Sequence, residues 1–165
     1  MLKRRNSLFI ILLLICLILV SGCGKKEPDA IKIKKEYEKY DISMEDDNPF
    51  MYISEKELDN KIGNKEAFCL FICTPKNENC RRDIAPLIEA SKDLNIKTIY
   101  YMDSTSLSED FSLKAIYDFE KPYIMAFDGT IQYASDGIPT SDTEEEKNNE
   151  LLEEFKTVLT HGISK

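Results

Sequence analysis

The longest apolar run lies near the start of the chain: Leu8 to Val20 are 13 apolar residues in a row, preceded by Lys3, Arg4 and Arg5. This run is shorter than the roughly 20 residues a spanning helix needs, and it ends at small residues, which predicts a signal peptide over residues 1–22. An uncleaved anchor helix beginning at Leu8 is the other reading, and both place the remainder outside the cytoplasmic membrane. From residue 23 to about residue 48 charge dominates and bulky apolar residues are sparse, the pattern of a solvated linker. Within it IKIKKEYEKY (31–40) fits either a strand or a short helix.

From residue 49 to 165 the pattern alternates between short apolar runs and amphipathic stretches. Met51 to Ile53 reads as a short strand, and Ser54 with Glu57 three residues on forms a capping box opening a helix through Ile62, stopped by Gly63-Asn64. AFCLFIC (67–73) is continuously apolar and bounded by charge and Thr74-Pro75, which predicts a central strand buried on both faces. Ile84, Leu87, Ile88 and Ser91 form a helical stripe, after which KTIYYM (97–102) is a second buried strand. SLSEDFSLKAIYDF (106–119) reads as a helix with Leu113, Ile116 and Tyr117 on one side, ending at Lys121-Pro122. PYIMAF (122–127) and TIQYA (130–134) flank Asp128-Gly129, a hairpin signal. Ser141 with Glu144 predicts a further capping box, and Leu151, Leu152, Phe155, Val158 and Leu159 a C-terminal amphipathic helix. The predicted order is βαβαβαββα, an α/β fold.

Composition narrows the chemistry. The 165 residues carry 22 basic against 30 acidic side chains, and without residues 1–22 the balance is 19 against 30. A nucleic-acid partner would need clustered positive charge, so none is expected, and anionic lipid would repel such a chain. One His leaves a multi-histidine metal site or a Ser/His/Asp hydrolase without its residues. The Cys spacing is not that of a zinc site, so neither a metal nor a cofactor is expected.

Two resemblances follow from particular strings. Val20-Ser21-Gly22-Cys23 resembles the lipobox of bacterial lipoproteins. That resemblance implies that Cys23 is acylated and becomes the first residue of a protein anchored by lipid to the extracytoplasmic face of the cell membrane. The element order, a hairpin before the last helix included, resembles that of thioredoxin-like domains, a three-layer sandwich about a central mixed sheet. CRRDIAPLIEAS (80–91) is similar to the helix after that family's redox motif, with Pro86 as its kinking proline. EKPYIMAFDGT (120–130) is similar to the segment carrying the family's cis-proline, here Pro122, and ISEKELDNKIGNKEAFCLFIC (53–73) resembles its first strand, helix and central strand. The chain is also similar to bacteriocin-transport accessory proteins and other thioredoxin-like exported proteins.

The redox motif itself departs from that family's pattern. Counting back from Pro86 puts Glu78 and Arg81 where the two motif cysteines would be; a one-residue bulge puts Asn77 and Cys80 there instead. Neither register supplies the first, attacking thiol. There is no Trp, and AFCLFIC contains no acid to act as a buried proton acceptor. What remains is a C-x6-C pair, Cys73 and Cys80, either joined as a disulfide, which export permits, or left as two free thiols. Cys80 at a helix start beside Arg81 and Arg82 has the surroundings of a thiolate; its other reading is an inert thiol under the loop. Cys69 reads as core packing.

In the resembled family the backbone before the cis-proline pairs with an extended segment, which implies a binding role for Lys121 and Pro122. Pro122 otherwise simply starts a strand. His161 fits a dipole partner at a helix C-terminus, and Glu144 to Glu146 a solvated face. Three functions are compatible with these residues. One is an accessory module holding an extended segment of an envelope or exported protein; another is an atypical thiol-disulfide oxidoreductase using Cys80 and Cys73; the third is an envelope scaffold.

Overall fold

The computed structural model describes residues 26–163; residues 1–22, where the sequence predicts a signal peptide, and Cys23 lie outside the described residues. None of the described helices is long and apolar enough to cross a membrane. Five strands, β1 (Phe50–Tyr52), β2 (Ala67–Cys73), β3 (Ile99–Asp103), β4 (Tyr123–Asp128) and β5 (Thr130–Ser135), form one mixed sheet in the order β1-β3-β2-β4-β5. β3 runs parallel to β1 and β2, while β4 is antiparallel to both β2 and β5. Gly129, at φ +76°, makes the turn that Asp128-Gly129 predicts.

Among the described residues four α-helices, α1 (Asp29–Glu38), α2 (Glu55–Gly63), α3 (Glu78–Asp93) and α4 (Glu144–His161), accompany the sheet in this α/β fold. Successive residues of β2 point to opposite faces and divide the core in two. Cys69, Phe71 and Cys73 pack with Ile33 and Tyr37 of α1, Ile84 and Leu87 of α3, and Leu151 and Phe155 of α4. Phe68, Leu70 and Ile72 pack on the other face with Leu58 of α2 and with Leu107, Phe111, Leu113 and Phe119. That burial on both faces is why AFCLFIC is apolar throughout.

The structure departs from the sequence reading in three elements. Where a solvated linker is expected, α1 buries Ile33 and Tyr37 completely, and Tyr37 meets Tyr101 edge to face with ring centroids 6.3 Å apart. Residues 106–119 form no α-helix. They follow one short 3₁₀ turn, Ser104–Ser106, and hold another, Ser112–Ala115, because tertiary bonds set the path: Ser108 donates from its amide and hydroxyl to Glu55 at 2.6 Å. The N-cap of α4 is Thr143, not Ser141, since the Ser141 hydroxyl donates to Glu150 at 2.7 Å while Thr143 accepts from the Glu146 amide. The Ser54–Glu57 capping box forms as expected.

Candidate functional site

The chemistry-bearing residues gather where β2 hands over to α3. The period-2 pleat turns Cys73 toward the α1, α3 and α4 side, and Cys80 occupies the third position of α3, facing it. Their Cα atoms are 5.8 Å apart and the two are joined by a disulfide. Cys73 is 0 % and Cys80 1 % exposed. The Thr74 amide donates to Cys80 Sγ at 3.3 Å, and the Tyr101 hydroxyl to the Cys73 carbonyl at 3.1 Å. Cys69, the remaining cysteine among the described residues, is a buried free thiol that burial pushes up to about 12. It packs in the core under Gly162, whose Cα leaves no room for a side chain against Phe68 and Cys69.

The arginines expected to favour a thiolate at Cys80 are engaged elsewhere. Arg81 donates to the Pro75 and Lys76 carbonyls at 3.0 Å and lies 5.5 Å from the Tyr40 ring centroid. Arg82 pairs with Asp83, donates to Asn79 Oδ1 at 3.1 Å and reaches the Gly137 carbonyl. Cys80 is a buried half-cystine.

Of the two residues considered for the attacking position, Glu78 is exposed and Asn77 is the N-cap of α3. The Asn77 Oδ1 accepts from the Asn79 amide at 2.8 Å and the Cys80 amide at 3.4 Å; its Nδ2 donates to the Glu120 carbonyl at 2.6 Å. That last bond brings the disulfide loop against the segment leading to Lys121 and Pro122. Pro122 is buried and Lys121 exposed.

The Lys121–Pro122 bond is trans, a correction to the cis-proline that the resemblance implies; no described peptide bond is cis. Trans is the lower-energy form by about 0.5–1 kcal/mol. Here the preceding residues are already held in a turn, with the Lys121 amide donating to the Asp118 carbonyl at 3.3 Å. Beside this turn lies a cleft of about 570 Å³ walled by Ser104 and the Lys114–Glu120 segment, on whose rim Ile116 is 70 % exposed.

Sequence reasoning missed Asp83. It sits one helical turn after Cys80 on the buried side of α3, 1 % exposed, with Oδ1 held by Arg82 at 2.7–2.8 Å and Oδ2 without a partner among the described residues. Burial pushes its carboxyl up to about 7; Arg82 opposes the rise, and Glu154 and Asp136 add to it. Gly137, at φ +59°, packs directly against Oδ2. The available signal was an acid inside the Cys80, Ile84, Leu87 stripe. His161 stacks on Tyr133, with centroids 5.4 Å apart. Among the described residues no three His, Cys, Asp or Glu side chains converge as metal ligands would.

No family model matches the chain, and no curated protein matches it in sequence.

Proposed function

We propose that this is a lipid-anchored extracytoplasmic protein whose thioredoxin-like domain holds an extended segment of an envelope or exported partner in the cleft beside Lys121-Pro122, without turning over disulfides. The burial of the Cys73–Cys80 disulfide carries the reading. Thiol-disulfide exchange needs an exposed thiolate to attack and a second thiol to resolve the mixed disulfide. Both sulfurs are covered, and Cys69, the one further thiol among the described residues, is in the core. The mixed sheet, the helix leaving β2 through the cysteine loop and the hairpin before α4 support the family assignment; the trans bond before Pro122 and the missing helix over 106–119 depart from it. The cleft supports the binding role, since an exposed Ile116 offers apolar contact at its rim.

The second reading, an oxidoreductase using Cys80 and Cys73, is favoured by one observation: the disulfide joins a strand end to a helix start. An assay of disulfide reduction on a protein substrate, driven by a dithiol, separates the two. The wild type should match the background rate; robust turnover lost in both Cys73→Ser and Cys80→Ser would establish the enzyme. Cys23→Ser should release the chain from membranes. A photo-crosslinker at Ile116 should trap a partner in intact cells while the same group at exposed Glu145 should not; equal labelling at both would refute the cleft.

A further inference from the structure

We propose that Asn77 is a positioning residue coupling the Cys73–Cys80 disulfide to the wall of the Lys114–Glu120 cleft, so that reducing the disulfide loosens that wall. The inference rests on the partner-binding reading above, and names the regulation of that same site. Asn77 uses both ends of its amide: Oδ1 caps α3 and Nδ2 holds the Glu120 carbonyl, 43 residues away. Aspartate or serine could cap, but aspartate cannot donate and serine is too short to reach both groups.

The loop bearing Asn77 is pinned at both ends by the disulfide. Inside it, the Thr74 amide donates to Cys80 Sγ, the Asn77 amide donates to the Thr74 carbonyl at 3.0 Å, and Arg81 clamps Pro75 and Lys76. On the other side of the contact, the cleft wall belongs to no α-helix or strand. Its backbone bonds are local turns, the Lys114, Ile116, Tyr117 and Lys121 amides donating to the Phe111, Leu113, Leu113 and Asp118 carbonyls; the Lys114 ammonium reaches the Leu107 carbonyl at 3.2 Å, the Glu120 amide Asp118 Oδ1 at 3.0 Å, and the Tyr117 and Phe119 rings pack on each other and on Tyr123, with Phe119 also on Phe111. Among the described residues, the Asn77–Glu120 bond is the one hydrogen bond joining loop and wall. A wall held by local turns and ring contacts, and fastened at its Glu120 end to a covalently closed loop, is free to respond at that end when the closure is removed.

The chemistry balances with a small dithiol as reductant. One thiolate of the reagent attacks a cystine sulfur, the Cys73–Cys80 bond breaks, and a mixed disulfide forms. The second thiol of the reagent then displaces the protein sulfur. Two electrons and two protons leave Cys73 and Cys80 as thiols, and the reagent ends as a cyclic disulfide. Both sulfurs are buried, so attack follows opening of the 74–79 loop, and the oxidised state persists until a dithiol is abundant.

Amide hydrogen exchange on the full chain in detergent, with and without dithiothreitol, tests the coupling. Labelling times are chosen so that the amides of β2 and β4 stay protected in the oxidised protein. Reduction should speed exchange at the Glu120 and Lys121 amides by at least about five-fold, the weight of one hydrogen bond, while β2 and β4 remain protected. Asn77→Ser and Asn77→Asp, both capping residues, should give the same rise in the oxidised protein with the first turn of α3 unchanged. Unaltered exchange at Glu120 and Lys121 after reduction would overturn the proposal, as would loss of protection throughout β2 and β4. A failed crosslink at Ile116 would strike the partner reading alone, because the exchange measurement needs no partner.

Discussion

Replacing Asp83 by Asn removes a buried charge and nearly nothing else, and the pH dependence of stability should register it. Burial lifts the carboxyl from 3.8 to about 7, against the pull of Arg82. A carboxyl whose folded value is raised binds its proton more tightly in the native state. The stability it contributes is fully present below about pH 4 and is lost as pH rises to about 7. Roughly three pH units correspond to a loss of the order of 4 kcal/mol. Urea unfolding between pH 4 and 8 measures this as a falling midpoint for the wild type. Asp83→Asn should lack that component, so the difference between the two proteins should shift in favour of the variant by a few kcal/mol as pH rises. The variant starts lower, since its new amide NH₂ replaces Oδ2, which has no partner, but only the slope matters. Glu150, held down to about 2 chiefly by the Ser141 hydroxyl, acts with opposite sign and is common to both proteins. Parallel pH curves would refute the reasoning and show Asp83 to be ionised throughout, as a partner of Arg82.

Three further substitutions report on packing and covalent closure. Gly137→Ala would force a side chain onto a φ of +59° with its Cβ 2.5 Å from Asp83 Oδ2, and should cost about 2–4 kcal/mol in urea unfolding. Ile33→Ala should cost about 3 kcal/mol, as for a core residue; a solvated linker would show no change. Breaking the disulfide with Cys73→Ser and Cys80→Ser together should cost about 2.5 kcal/mol, the closure term for so short a loop, seen as a lower midpoint in urea unfolding.

The central strand was legible because burial on both faces leaves an unbroken apolar run: AFCLFIC matches β2 residue for residue. The Asp128-Gly129 turn was equally legible, since it needs a residue at positive φ. The helix of α1 was one of the two readings open for IKIKKEYEKY, but its burial was hidden because its inward face is only Ile33 and Tyr37, four residues apart among Lys32, Lys34, Lys35 and Glu36. The 106–119 segment misled by its helical spacing. Its course is set by Glu55 from another element and by the rings of Phe111 and Phe119, which local periodicity does not encode. At the site, the pair Cys73 and Cys80 was visible as a spacing, whereas its closure depended on where the loop folds. The Asn77 contact to Glu120 spans 43 residues and leaves no local signature, and Asp83 resembled a surface acid until α3 was placed.

If the chain is anchored at Cys23 as proposed, the burial of α1 also sets how far the domain can stand from the bilayer. With Cys23 as the acylated residue of the proposed function, the folded unit begins at Asp29, six residue steps on, so even a straight chain spans only about 20 Å. A free tether reaching Asn48 would have allowed about 85 Å over its 25 steps. The domain would thus be confined to a shallow layer next to the headgroups, turning about a short leash instead of sweeping a wide volume. A partner would be met only where its own extended segment emerges at the membrane surface.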